Sequence, residues 1–297
     1  MRHNIFGLAQ RTSLRAVPEK NWSRLYKHKE SLVRMGKLSE LFAQVHKARS
    51  GKGIGFVGKS LPARKPRAAA LLVEFNGADA GNAEAAIKAG ADGLIFAWNG
   101  QGKGNTEALK KAIEAAQAAG DGVICGLHIT GGWEKLARKD FEDFKDLGTN
   151  FVILPLNAPA RLLALRVKDL EPVVSVPMRE GDLYPIFIRN LSAFERVAAI
   201  DLDFGLSSEI GNMSIEDVLH YRAVREAVRA SALVHVKGTP DEDNAYTLLT
   251  LGIQAVVLAE SKDMATTGQQ IQTLRDVLEK VYEDEQDEPT LGLNVKG

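Results

Sequence analysis

The sequence predicts an α/β protein: a (β/α)8 barrel, or TIM barrel, preceded by a basic, mainly helical N-terminal extension. From residue 69 onward, eight short apolar runs alternate with eight amphipathic helical patterns. Continuous apolar runs indicate strands covered on both faces in a parallel sheet, and parallel neighbours need helical crossovers. Eight such units in about 220 residues are typical of the closed barrel. A doubly wound open sheet is the alternative, but the sequence lacks its glycine-rich first turn.

The predicted elements follow one another regularly along the chain. The apolar runs predict strands at 69–75, 93–98, 122–129, 151–156, 172–177, 198–204, 232–237 and 255–260. The patterns between them predict helices at 82–90, 106–119, 133–147, 160–168, within 183–194, and at 214–230, 241–251 and 269–282. Two more helical patterns, at 22–35 and 37–48, carry apolar stripes that need a surface to cover. We expect that surface to be the outer helices of the barrel.

Charge divides the chain into three predicted regions: an extension (1–67), the barrel (68–282) and an acidic tail (283–297). Residues 1–67 hold 16 basic and three acidic residues, a net charge of +13, and the remainder holds 22 basic and 35 acidic residues, a net of −13. This complementarity favours an extension that folds back on its own barrel. The open alternatives are a contact with nucleic acid or another acidic partner, and a targeting presequence.

Composition excludes several classes of protein. No run of about 18 apolar residues is present, so no membrane span is expected. The single cysteine, Cys125, cannot form an internal disulfide, and a cysteine-based zinc or iron–sulfur site is excluded. One cysteine fits a reducing compartment, so a cytoplasmic location is expected.

A phosphate-loop pattern at 53–60 (GIGFVGKS) does not have its usual context. A true phosphate loop follows a buried strand and opens a helix. Here a helical pattern precedes the glycines, and Pro62 and Pro66 follow them. Nucleotide hydrolysis at this segment is therefore not expected.

Active sites of (β/α)8 barrels form at the carboxyl ends of the strands, so the candidate site residues are those at the predicted strand ends. The predicted catalytic residues are Glu74, His128, Asp203 and Lys237. The predicted substrate-binding residues are Asn76, Asn99, Asn157, Arg179, Asp201 and Glu260, with Gly238, Thr239 and Ser261 in the anion-binding loops after strands seven and eight. His235 shares a strand face with Lys237, because side chains alternate with period two.

Two mechanisms suit this set of residues. In the first, Lys237 forms a Schiff base with a carbonyl or anchors an anion, while Glu74, Asp203 or His128 moves protons. In the second, Glu74, Asp203 and His128 hold a divalent cation that polarises a carbonyl. An internal ion-pair network without chemistry is a third interpretation.

The second half of the chain resembles the metal-dependent aldolases of 2-oxo acids, the citrate-lyase-β-like barrels. The resemblance rests on 201–211 (DLDFGLSSEIG), 233–238 (LVHVKG) and 251–258 (LGIQAVVL). Gly205 stands where that family has its metal-binding Asp, and no Glu is found at 175–177, where its second metal ligand belongs. The resemblance therefore implies an aldolase-type barrel without the family's metal ligands.

A second, looser resemblance is to flavin-binding barrels. It rests on 236–238 (VKG) and 259–262 (AESK), and the glycine-rich phosphate loops of those proteins are absent. It implies FMN as an alternative cofactor to a divalent cation.

Together these observations predict an aldolase-type barrel enzyme, a lyase or isomerase, that acts on a small anionic oxygenated metabolite. The alternatives are an FMN-dependent oxidoreductase and a non-catalytic barrel that binds a partner, such as a nucleic acid, through its basic extension. Phosphate binding and a homo-oligomer are also expected, and a membrane partner is not.

Overall fold

The structure, a computed structural model, describes residues 36–49, 67–100, 103–177, 184–203, 213–236 and 242–287. Eight parallel strands pair in chain order, and β8 pairs with β1 to close the barrel. The strands are β1 (Ala70–Phe75), β2 (Gly93–Trp98), β3 (Ile124–Ile129), β4 (Phe151–Pro155), β5 (Glu171–Pro177), β6 (Ala199–Asp203), β7 (Ser231–Val236) and β8 (Ala255–Ala259). The predicted (β/α)8 barrel is confirmed.

The helices surround the strands, and one more precedes them. They are α1 (Lys37–Arg49), α2 (Ala80–Ala89), α3 (Lys103–Ala119), α4 (Arg138–Asp146), α5 (Tyr184–Ile188), α6 (Ile215–Val228), α7 (Glu242–Thr250) and α8 (Met264–Asp287). Short 3-10 turns occur at Trp133–Lys135, Ala160–Leu162 and Arg189–Ala193. None of the described helices has the length and apolarity needed to cross a membrane.

One predicted helix is wrong. The segment 160–168 forms only the turn Ala160–Leu162 and then continues as irregular chain. Leu162, Val167 and Leu170 are buried there, but these spacings of five and three do not form the continuous i, i+4 stripe of a longer helix. Asp169, with φ of 60°, turns the chain into β5.

Helix α1 closes the amino-terminal end of the barrel. Four of its side chains belong to one buried cluster with the inward-facing strand residues: Leu38, Leu41, Phe42 and Val45. The strand residues of that cluster are Ala70, Leu72, Ile95, Ile124, Phe151, Ile153, Val173, Ala199, Leu233, Ala255 and Val257. The expectation that this stripe covers the outer helices is therefore wrong for α1. The open end of a barrel exposes interior apolar surface, and α1 removes that surface from water.

The first residue of β5 fixes the position of α1. The Leu38 amide donates to Glu171 Oε2 at 2.8 Å, and the Ser39 hydroxyl donates to Glu171 Oε1. A carboxylate at a helix N-terminus satisfies amides that have no partner within the helix and complements its dipole. Gly36 has no side chain where one would collide with Glu171. Residues 1–35 and 50–66, which include the phosphate-loop pattern at 53–60, lie outside the described part of the chain, so the other predictions for the extension stay predictions.

Candidate functional site

Four ionisable side chains converge at the carboxyl end of the barrel interior. Glu74, His128, Asp201 and His235 stand on β1, β3, β6 and β7, and we call them the polar cluster. Glu74, Asp201 and His235 each stand two residues after an inward-facing strand residue of the buried cluster that α1 joins. Those inward-facing residues are Leu72, Ala199 and Leu233. Side chains on a strand alternate between its faces. The cluster therefore forms a polar layer above the apolar interior, at the end opposite α1.

The contacts of the polar cluster form a chain in which imidazole rings and carboxylates alternate. Glu74 Oε1 lies 2.6 Å from His128 Nδ1, and Glu74 Oε2 lies 3.1 Å from His235 Nδ1. His235 Nε2 lies 2.8 Å from Asp201 Oδ1, which is an ion-pair distance without the direction of a hydrogen bond. Both oxygens of Glu74 and both ring nitrogens of His235 are thus engaged.

Electrostatics fix the charge of two members of the cluster. Burial by itself would raise the pKa of Glu74, but its contacts with His128 and His235 outweigh burial and lower that pKa to about 2. Burial would likewise lower the pKa of His235, but Asp201 and Glu74 raise it well above the ordinary value of 6.5. At neutral pH Glu74 is therefore a carboxylate and His235 an imidazolium.

The negative charge of Glu74 determines the tautomer of His128. A carboxylate can only accept hydrogen bonds, so Nδ1 of His128 must be the donor to Glu74. The lone pair of the neutral ring is then on Nε2. That atom makes no hydrogen bond within the described residues and is not sealed from solvent. Of the two histidines, only His128 has a nitrogen available to take up a proton from a bound molecule.

The rim of the barrel holds several more of the predicted residues. Asn76, Asn99 and Asn157 are exposed at the ends of β1, β2 and β4. The backbone N–H of Asn76 donates to Glu260 Oε1 at 2.8 Å, and the backbone N–H of Glu260 donates to the backbone carbonyl of Glu74 at 2.9 Å. Glu260 thus ties the loop after β1 to the end of β8. The predicted role of these residues in substrate binding stays a prediction.

Ser261 is already engaged by the following helix. Its amide donates to Thr267 Oγ1 at 3.0 Å, and its hydroxyl donates to Gln270 Oε1 at 2.6 Å. Both of its donors are used, which leaves Gly238 and Thr239 as the other predicted anion-binding positions. Those two residues, Arg179 and Lys237 lie outside the described part of the chain, as does the side chain of Asp203. Their roles stay predictions.

The structure gives one residue on β6 and one on β7 surroundings that the sequence did not predict. Asp201, expected to bind substrate, is only 1% exposed and pairs with His235. His235 shares a strand face with Lys237 but is not among the predicted site residues. Its position two residues after the buried Leu233 is the signal that could have identified it, because Glu74 follows Leu72 in the same way.

The described residues do not suit a divalent cation. Among them, no three His, Cys, Asp or Glu side chains are grouped as metal ligands. Both oxygens of Glu74 face imidazole nitrogens. The predicted cation set of Glu74, Asp203 and His128 includes a side chain outside the described part of the chain, so it stays a prediction.

Comparisons with known proteins identify the fold. No protein-family model and no curated protein sequence matches this chain. Among solved structures, phosphoribosyl anthranilate isomerase from Thermus thermophilus superposes with a TM-score of 0.51 and 15% identity, over 71% of this chain and 99% of that one. A tryptophan synthase from Mycobacterium tuberculosis superposes with a TM-score of 0.57 and 12% identity, over 83% of this chain and 99% of that one. The chain shares the (β/α)8 barrel fold of these enzymes.

Proposed function

We propose that this protein is a lyase or isomerase in which His128 moves a proton to and from a small anionic oxygenated metabolite bound at the carboxyl end of the barrel. The observation that supports this most is the contact between ionised Glu74 and Nδ1 of His128, at 2.6 Å. A carboxylate in this position orients an imidazole and stabilises its protonated form, as in other histidine-based active sites. Nε2 of His128 is then the proton acceptor.

The proposed chemistry begins at a carbon next to a carbonyl group. Nε2 of His128 takes the proton from this carbon, the electron pair moves onto the carbonyl oxygen, and an enolate forms. Where that carbon also carries a hydroxyl group, the enolate is an enediolate, and the hydroxyl proton passes to the former carbonyl oxygen. The His128 imidazolium, paired with Glu74, then returns its proton to the former carbonyl carbon, and the hydroxyl-bearing carbon becomes the new carbonyl, which isomerises the substrate. For a lyase, His128 instead takes the proton of a β-hydroxyl group, the β carbon becomes a carbonyl carbon, and its bond to the α carbon breaks. The electron pair of that bond forms the enolate of the other product, and His128 returns its proton to the α carbon of this enolate. Both routes conserve protons and electrons and need no oxidant.

The anionic character of the substrate rests on the predicted residues at the other strand ends. Barrels commonly bind phosphate at the loops after strands seven and eight. Gly238 and Thr239 follow β7, and Lys237 at its end supplies either a cationic anchor or a Schiff-base amine. The Schiff base would draw the electron pair away from the reacting carbon in the same reaction.

The test is solvent deuterium exchange on a panel of 2-oxo acids, hydroxy 2-oxo acids and phosphorylated ketoses and aldoses. The protein is incubated with each compound in D2O, and mass spectrometry measures deuterium at the carbon next to the carbonyl. We expect incorporation into at least one member, slowed by about 10²- to 10⁴-fold in His128→Gln. His220→Gln, which changes an exposed histidine on α6, is the matched control and should exchange at the wild-type rate.

Two outcomes would contradict the proposal. One is equal exchange by wild-type protein and His128→Gln, which would place the chemistry elsewhere. The other is exchange no faster than the buffer background for every compound of the panel.

A further inference from the structure

We propose that His235 and Asp201 are positioning residues that together hold the carboxylate of Glu74 against His128. Neither would touch the substrate. The inference rests on the proposed function for its catalytic consequence, but its structural content can be measured without any activity.

The first step concerns the freedom of Glu74. A glutamate side chain has three rotatable bonds, and a single contact at Oε1 would leave its carboxyl group free to turn. In the strand register Glu74 is flanked by Ile95 on β2 and Ala259 on β8, neither of which can bind a carboxylate. The contact of Oε2 with His235 Nδ1 supplies the second fixed point. His235 therefore fixes the orientation of the Glu74 carboxylate that faces His128.

His235 and His128 each contact Glu74 across one intervening strand. β8 lies between β1 and β7, and its residue paired with Glu74 is Ala259. On the other side, β2 lies between β1 and β3, and its residue paired with His128 is Ala97. Two imidazole rings thus reach one carboxylate across a strand on either side. Their ring centroids are 6.1 Å apart. Ala259 and Ala97 stand two residues beyond the larger side chains of Val257 and Ile95 on these strands, towards the carboxyl end.

The second step concerns what holds His235. Its Nε2 faces Asp201, whose carboxylate is almost completely buried and is flanked in the register by Ser175 and Leu233. A buried carboxylate needs a fixed counter-charge, and the half-buried imidazolium of His235 supplies it. The ring of His235 is thereby held at both nitrogens. It has no nitrogen left to exchange a proton with a substrate, which separates its role from that of His128.

A purely structural ion pair is the competing explanation, and the two differ in what His128 experiences. If the pair only stabilises the barrel, its removal lowers stability and leaves the hydrogen bond between His128 and Glu74 unchanged. If the pair positions Glu74, that hydrogen bond weakens even in fully folded protein. The proton on Nδ1 of His128 reports the difference directly, because a proton in a short bond to a carboxylate resonates far downfield.

The experiment records this resonance in the full-length protein, assigned by its loss in His128→Gln. We expect a sharp downfield signal in wild type and its broadening or loss in His235→Gln at a temperature where circular dichroism shows complete folding. Val257→Ala is the control, because Val257 pairs with His235 in the register and contributes only packing. It should lower the melting temperature and keep the signal. Asp201→Asn, which is close in size to the native residue, should also weaken the signal, because it loosens His235. It replaces His235→Gln in the experiment if that variant does not fold.

A wild-type signal in folded His235→Gln or Asp201→Asn would overturn the proposal. If an exchange substrate is found, His235→Gln should also lower kcat by about 10- to 100-fold, as expected for a displaced catalytic group, with KM within about twofold of wild type. Loss of the signal without exchange on any compound would leave the positioning role standing and refute the proposed function. Deuterium exchange on a compound of the panel, with the downfield signal unchanged in folded His235→Gln, would refute the positioning role and leave the proposed function standing.

Discussion

Glu74 on β1 and His128 on β3 meet across the strand between them, with Oε1 of the carboxylate 2.6 Å from Nδ1 of the imidazole. They stand 54 positions apart in sequence, and the pairing of β1 with β2 and of β2 with β3 brings them together. Their side chains are 16% and 22% exposed, so the pair is close to solvent and shielded from most of it. A proton can reach Nε2 of His128 while Glu74 stays fixed behind the ring.

The charges of the polar cluster predict how stability depends on pH. Glu74 has a pKa of about 2 in the folded protein against 4.5 ordinarily, so its contribution is lost as the pH falls from 4.5 towards 2. The pKa of His235 is raised well above 6.5, so its contribution is complete below pH 6.5 and is lost as the pH rises through the raised value. The contribution of the cluster to stability should therefore be greatest between about pH 4.5 and 6.5.

Urea denaturation at pH 3.5, 5.5 and 8 measures this dependence. Above pH 6.5 the contribution of His235 should fall by about 1.4 kcal/mol per pH unit, the value for one proton. In His235→Gln this alkaline loss should disappear, so the difference in unfolding free energy between wild type and variant should shrink from pH 5.5 to pH 8. A difference that is constant over this range would show that His235 does not carry the fixed charge.

The position of α1 predicts that N-terminal truncations which keep this helix and those which remove it differ sharply in stability. Deleting residues 1–35 leaves α1 intact and should give a protein that still melts cooperatively. Deleting residues 1–49 also removes four buried side chains worth about 1.5–3 kcal/mol each, a total comparable with the entire stability of a domain. We expect that protein to be insoluble or to bind the dye ANS as a loosened barrel. Equal melting of the two truncated proteins would refute the role of α1.

Glu171 gives a smaller change at the same end of the barrel. Glu171→Ala removes the carboxylate that accepts from Leu38 and Ser39 at the start of α1. Loss of a helix cap costs about 0.5–2 kcal/mol, so the melting temperature should fall by a few degrees. Glu114→Ala, which changes an exposed residue of α3, is the control and should melt like wild type. An unchanged melting temperature in Glu171→Ala would argue against the cap.

Cys125 provides a test of barrel closure. It is completely buried, and burial raises the pKa of its thiol to about 12. Because the thiolate is the reactive form, iodoacetamide at pH 8 should leave Cys125 unmodified in folded protein and alkylate it in urea. Intact-mass spectrometry gives the answer. Rapid alkylation without denaturant would mean that the strands around β3 open readily.

The strands could be predicted from the sequence because a strand covered on both faces is apolar throughout, a pattern that needs no knowledge of its neighbours. The helix missing after β4 shows the limit of this reasoning. Its apolar residues pack as irregular chain, and the left-handed conformation of Asp169 is not visible in the residue types. The stripe of α1 likewise indicates that a surface is covered without indicating which one.

The site can be predicted only in part for the same reason. Glu74 and His128 stand at the ends of apolar runs, so the barrel rule identifies them. That Glu74 contacts two histidines depends on which strands become neighbours in space, β2 and β3 on one side and β8 and β7 on the other. Sequence spacing contains none of these distances. The role of His235 can be assigned only when its two carboxylate partners are seen together.

The tautomer of His128 tests the central claim most directly. Long-range correlation of the imidazole protons with 15N distinguishes a protonated nitrogen from one that carries a lone pair, in wild-type protein without any substrate. The structure predicts that in the neutral ring of His128 the proton is on Nδ1, bound to Glu74, and the lone pair is on Nε2. A proton found on Nε2, with a bare Nδ1 facing the carboxylate, would contradict the account, because His128 would then have no base to offer a substrate.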